Sequence, residues 1–122
     1  YMEDSRPKTI ICDIDGTLIV HTNPCSVALN KNNATLLEGT EEKLREWDRK
    51  GYNIILLTGR KESLRKVTEE QLSSVGIFYD QLVMGIGGGK RYLINDRKPN
   101  GNEDYAVAIN IERDKGIKDI NI

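Results

Sequence analysis

Apolar residues in this chain come in short runs, each stopped by an acid, a threonine or a glycine. Ile10-Ile11-Cys12 ends at Asp13, and Ile54-Ile55-Leu56-Leu57 ends at Thr58-Gly59. Runs of this length, rich in β-branched residues and closed by a turn signal, read as buried strands. Strands are therefore expected at Thr9 to Asp13, Asn53 to Leu57, a short region covering Ile77-Phe78 and Gln81 to Met84, Arg91 to Asn95, and Ala106 to Ile109. Helical spacing fills two of the intervals. Thr40 is a suitable N-cap, and Glu41 and Glu42 follow it where acids favour the helix dipole. Leu44 and Trp47 then share a face, and Gly51 can end the helix. A second helix, about Lys61 to Val75, places Leu64, Val67, Leu72 and Val75 on one stripe, with Gly76 beyond it. The charges between them, Arg65, Lys66, Glu69 and Glu70, form its wet face. Strand and helix patterns alternate without repeats, which predicts an α/β fold with a parallel sheet and right-handed crossovers.

The remaining stretches are connections. Leu18-Ile19-Val20 reads as one arm of a small flap, His21 to Asn33 as a loop, and Thr35-Leu36-Leu37 as a segment on the sheet edge. Gly85 to Gly89 is a mobile loop rather than a dinucleotide fingerprint, because a strand pattern follows it instead of a helix. Pro99-Asn100-Gly101-Asn102 is a turn. Glu112 to Ile122 reads as a terminal helical turn or an edge segment.

A chain of 122 residues suits a single domain, 1–122. Its formal net charge of −1 gives no electrostatic case for nucleic acid or an anionic membrane. No long apolar span and no signal-peptide pattern are present, so a cytoplasmic setting is expected. Cys12 and Cys25 do not make a disulfide framework. Cys12 falls in a core strand and reads as a small buried hydrophobe. Trp47 likewise reads as core rather than as a stacking platform.

The chemistry gathers at the end of the first strand, in Asp13-Ile14-Asp15-Gly16-Thr17. Residues two apart on a strand point to the same side, so both carboxylates project off its carboxyl end. Open parallel sheets place their ligands there. Two like charges so close need a divalent cation, a shared proton, or both.

Asp13-Ile14-Asp15-Gly16-Thr17-Leu18 resembles motif I of the haloacid dehalogenase (HAD) superfamily, most of whose members are phosphatases. Ile54 to Arg60 resembles motif II, and Tyr92-Leu93-Ile94-Asn95-Asp96 resembles motif IV. The order and spacing of the set fit from Ile10 to about Pro99. A narrower resemblance, on Tyr79 to Leu82 and Ile94 to Pro99, is to small phosphatase-like proteins of capsule or surface-sugar synthesis. The superfamily resemblance implies a Rossmann-like sheet of five strands in the order 3-2-1-4-5. The intervals from Asp15 to Thr58 and from Thr58 to Asp96 are filled by core elements, which leaves no room for a cap domain. The site should then be open, or shielded by a loop or by a second copy in a homo-oligomer.

The resemblance also implies a reaction: Mg²⁺-dependent hydrolysis of a phosphomonoester, a sugar phosphate or similar small metabolite, through an aspartyl-phosphate. Asp13 would be the nucleophile and Asp15 the general acid and then base. Asp13, the carbonyl of Asp15, and Asp96 would hold the metal. Thr58 would bond the phosphoryl oxygens, while Gly59 and Arg60 would contact substrate. Arg60 is equally readable as a solvated residue at a helix start. For the motif III lysine the sequence offers Lys90, either swinging in through the glycine loop or lying on the surface, with Arg91 as an imperfect substitute. His21 could touch substrate, although exposure is the commoner fate of a lone loop histidine. If no cation reaches the site, the alternative is a catalytically weak binding or regulatory module on the same fold.

Overall fold

The computed structural model describes residues 5–22, 34–99, 101 and 103–122. Residues 1–4, most of the loop expected after Val20 (23–33, including Cys25), and positions 100 and 102 of the expected turn lie outside the described residues. The elements are β1 (Thr9–Asp13), α1 (Thr40–Arg49), β2 (Asn53–Leu57), a 3₁₀ turn (Glu62–Leu64), α2 (Arg65–Ser74) and β3 (Gln81–Val83).

The strands form a parallel sheet in the order β1-β2-β3. Asp13 stands opposite Leu57, and Leu57 opposite Val83, so the three carboxyl ends are aligned. Ile10 and Cys12, Ile54 and Leu56, and Leu82 turn to one face and are buried. Leu44 and Trp47 of α1 and Leu72 of α2 join them in the core. Right-handed crossovers that step in one direction through a sheet put both helices on the same side. The opposite face is more open, and Ile11 on the outer strand is exposed there.

Two of the five expected strands are absent among the described residues. Arg91 to Asn95 and Ala106 to Ile109 form no ladder, and Ile94 is 93% exposed. The observed sheet has three strands, in the sequence expected for 3-2-1. An alternating apolar stretch has no hydrogen bonds of its own. It becomes a strand only where a neighbouring edge accepts it, so its pattern states a preference rather than a pairing.

Helix α1 begins at Thr40 as expected, but the cap is Gly39, at φ 89. The Thr40 hydroxyl is buried and donates to the Leu18 carbonyl at 2.7 Å. Leu18 to Val20 pairs with Thr35 to Leu37 through Val20 N–H to Thr35 O and Leu37 N–H to Leu18 O, both 2.9 Å. The flap arm therefore exists and lies on the core. The second helix starts later than its pattern suggested, because Glu62–Leu64 is a 3₁₀ turn.

The C-terminal segment is neither helix nor strand. It is anchored by Ile117, which is buried in the core and donates its N–H to Glu38 O at 3.0 Å. A side chain at Gly39 would strike the Lys118 backbone. No helix among the described residues is long and apolar enough to cross a membrane.

Candidate active site at the carboxyl end of the sheet

The chain leaves β1 at Asp13 and reverses through Gly16, whose φ of +84 suits glycine. The Ile14 carbonyl accepts the N–H groups of Thr17, Leu18 and Ile19, and Gly16 N–H donates to Ile19 O at 2.7 Å. Backbone bonds thus fix Ile14 and the four residues Gly16 to Ile19, with Asp13 and Asp15 at the entrance of the turn.

Asp13 keeps a half-open carboxylate, 41% exposed, with a guanidinium nitrogen of Arg91 at 3.9 Å. Burial raises its pKa above the ordinary value, and proximity to Asp15 adds to the rise. Arg91, the Ile14 N–H and the Thr17 hydroxyl oppose it. The result is a carboxylate less well solvated than an ordinary surface acid.

Asp15 is held differently. Arg60 Nε donates to its Oδ2 at 2.9 Å, and an Arg60 terminal nitrogen donates to Oδ1 at 2.7 Å. The Arg60 side chain is only 5% exposed. Its other terminal nitrogen donates to Thr68 Oγ1 and Gln71 Oε1 on α2. Arg60 is therefore neither a solvated residue at a helix start nor directed at the mouth of the site. It is an interior clamp on Asp15.

Thr58 is buried, and its hydroxyl oxygen accepts the Arg60 N–H at 3.1 Å. The hydroxyl keeps its own proton to donate. Gly59 lies under the glycine loop, where an added Cβ would come within 2.8 Å of Gly87 O. Gly85 N–H donates to Arg60 O at 2.7 Å, and Ile86 N–H donates to Thr58 O at 3.4 Å. The loop expected to be mobile is thus tied at its start to the end of β2.

Neither Lys90 nor Asp96 hydrogen-bonds or ion-pairs with this group among the described residues. Lys90 is exposed, and the cation facing Asp13 is its neighbour Arg91. Asp96 is exposed and pairs with Lys98 Nζ at 3.4 Å. Among the described residues, no three His, Cys, Asp or Glu side chains lie close enough to hold a metal ion. Magnesium prefers several hard oxygen ligands in near-octahedral array. The Arg60 clamp occupies the Asp15 side chain and not its carbonyl; the side chains do not fit that ion because Asp96 is turned to Lys98 and does not join Asp13.

His21 is exposed, and its backbone N–H donates to Asp114 Oδ1 at 2.9 Å. Asp114 N–H in turn donates to Gly16 O at 2.9 Å. The C-terminal segment thereby braces the Gly16 turn, through a residue at φ 63 that no local pattern singles out. Thr17 is part of the motif, but the sequence assigns no role to Thr68 or Gln71. A signal existed for the last two, since they are polar residues spaced three apart between the apolar positions of α2.

Comparison with known proteins agrees with this geometry. The polynucleotide kinase PNKP phosphatase domain family matches residues 7–97. A solved chain titled "Structure of Pnkp1/Rnl/Hen1 complex" is 31% identical at a TM-score of 0.58, over 74% of this chain and 32% of that one. Another, from the Pnkp1/Rnl/Hen1 RNA repair complex, is 29% identical at a TM-score of 0.57, over 86% and 30%. This chain spans about a third of the length of either. A protein from Vibrio cholerae shares the fold at a TM-score of 0.51 and 22% identity, over 72% and 79%. No curated protein matches the chain. With the paired aspartates, the Thr58-Gly59-Arg60 strand end and the sheet that aligns them all inside the matched span, the chain belongs to the HAD superfamily, in the family of the PNKP phosphatase domain.

Proposed function

We propose that this chain is a phosphomonoesterase that removes a terminal phosphate from a polynucleotide. The observation that carries the reading is the pairing of unlike environments at the tip of β1. Asp13 has a half-open carboxylate opposite a guanidinium, and Asp15, two residues on, is fixed in place by Arg60. Paired groups held in different environments are how one site divides nucleophile from acid.

Asp13 attacks phosphorus as the bond to the leaving oxygen breaks, and Asp15, having taken a proton from solvent on an oxygen edge that Arg60 leaves free, gives that oxygen the proton. Water then attacks the aspartyl-phosphate and returns a proton to Asp15. The Asp13–phosphorus bond breaks, which restores the carboxylate and releases phosphate. Arg91 offsets the repulsion between Asp13 and the incoming dianion, and the Thr58 hydroxyl can donate to a phosphoryl oxygen.

A sugar phosphate and a phosphorylated nucleotide end present the same chemistry, a phosphate on a sugar hydroxyl. The family match favours the nucleotide end. A net charge of −1 supplies no general attraction to a strand, so recognition of the end rests on the phosphate contacts open to Arg91 and Thr58. The test is release of phosphate from oligonucleotides phosphorylated at either end and from a panel of sugar phosphates, with Mg²⁺ and with EDTA, using Asp13→Asn as control. Release from no oligonucleotide, with turnover of a sugar phosphate, would assign the site to small metabolites.

A second reading, a phosphate-binding module with little turnover, is favoured by one observation: Lys90, the lysine offered for motif III, is exposed, and the cation beside Asp13 is Arg91. Binding of inorganic phosphate without release from any ester would select it.

A further inference from the structure

Arg60 does not stand alone behind Asp15. Its second terminal nitrogen donates to Thr68 Oγ1 at 3.0 Å and to Gln71 Oε1 at 2.8 Å. Thr68 is 0% exposed and Gln71 2%. They sit on the inward face of α2 beside Leu72, where an ordinary core helix would carry aliphatic residues. Burying a hydroxyl and an amide costs free energy unless they are hydrogen-bonded, and both are bonded to this one guanidinium.

The geometry points to Thr68 and Gln71 as positioning residues for Asp15, acting through Arg60. A guanidinium is planar and its donors form a rigid fork. Two acceptors on α2 fix the rotation of that plane from behind. The fork then fixes the plane of the Asp15 carboxyl group from the front. Each carboxylate oxygen has a second lone pair, so the clamp leaves Asp15 able to exchange a proton on either oxygen, in the plane that the fork fixes. Without the two acceptors, Arg60 keeps its charge but loses its fixed orientation, and Asp15 loses its aim.

The inference rests on the phosphatase reading for its kinetic consequence, though not for its structural one. The test compares wild type with Thr68→Val, Gln71→Met, their double variant, and Thr68→Ser, which keeps the hydroxyl. Two substrates are used: p-nitrophenyl phosphate, whose leaving group departs without a proton, and a phosphorylated oligonucleotide, whose leaving alkoxide needs one. kcat/KM reports the step in which that oxygen leaves.

The expected result is a loss of about tenfold or more on the oligonucleotide in the double variant, since general acid help is worth roughly 10²–10⁴. The loss on p-nitrophenyl phosphate should be much smaller, and Thr68→Ser should behave as wild type. Equal losses on both substrates, or no loss on either, would overturn the proposal.

Nitrogen-15 NMR of the Arg60 Nε–H separates this outcome from failure of the phosphatase reading. A protein inactive on both esters would defeat the reading alone. The tie stands if the wild-type signal exchanges slowly and the double variant, folded by its melting curve, loses that protection. It falls if protection is unchanged.

Discussion

Asp15 and Arg60 lie 45 residues apart in the chain and meet through two hydrogen bonds, 2.7 Å at Oδ1 and 2.9 Å at Oδ2. The pair joins the turn after β1 to the turn after β2 and is closed off from solvent by α2. One contact therefore links the stability of the sheet end to the orientation of a reacting group.

Removing the guanidinium should be costly. Arg60→Met leaves the Asp15 carboxylate in a mostly buried position without a counter-charge, a change worth roughly 3–5 kcal/mol in comparable pairs. Arg60→Lys should also fail to support turnover, because an ammonium cannot reproduce a bidentate fork. Adding Asp15→Asn to Arg60→Met should recover part of the lost stability and none of the activity. Urea unfolding of the single and double variants measures the coupling, and additive losses would show that the pair is not coupled.

Asp13→Asn should abolish turnover and leave the fold intact. It should also change how stability depends on pH. The folded-state pKa of Asp13 is raised, chiefly by burial. The folded protein therefore holds the proton more tightly than the unfolded chain. That contribution is fully present below the unfolded value and is lost as pH rises through the folded one. Relative to wild type, Asp13→Asn should gain in melting temperature as pH is raised from the acid side of the ordinary 3.8. A difference that stays flat with pH would count against the assignment.

Arg91 rather than Lys90 faces the nucleophile, at 3.9 Å from Asp13. Arg91→Ala should raise KM and lower kcat/KM by about tenfold, the loss of one charge-assisted contact to phosphate. Lys90→Ala should cost clearly less. The reverse ranking in steady-state assays would restore Lys90 as the site cation.

Gly59→Ala adds a methyl group against the backbone of Gly87, 2.8 Å from its oxygen and 3.1 Å from its carbon. Backbone cannot yield as a side-chain tip can. A loss of about 1–3 kcal/mol is expected from overpacking. Hydrogen exchange should become faster at the Gly85 and Ile86 amides, which bond to Arg60 and Thr58. Unchanged protection at both would show that the loop does not rest on Gly59.

Cys12 is buried, and burial together with the charge of Asp13 pushes its thiol pKa up to about 12. It should resist alkylation at neutral pH in the folded protein and react on unfolding, as read by mass spectrometry of its peptide. By the same linkage, stability should fall as pH rises from the ordinary thiol value of 9.0 toward about 12. Cys12→Ser should remove that component of the slope.

The sequence by itself determined the parts of the fold that depend on local pattern. Thr9–Asp13, Asn53–Leu57 and the helix from Thr40 lie where their apolar spacing and stop signals put them, because burial of one face is written directly in a period of two or 3.6. The paired aspartates and the glycine turn were legible for the same reason. Tertiary structure alone decided which groups meet across the chain. Nothing near Arg60 in sequence indicates that it clamps Asp15, since ion pairs between distant turns follow from how strands align rather than from spacing. The polar pair Thr68 and Gln71 had meaning only once Arg60 was seen between them and the site. The apolar runs at Tyr92 to Ile94 and Ala106 to Ile109 made strands only on paper, because a ladder needs an edge that no local pattern supplies.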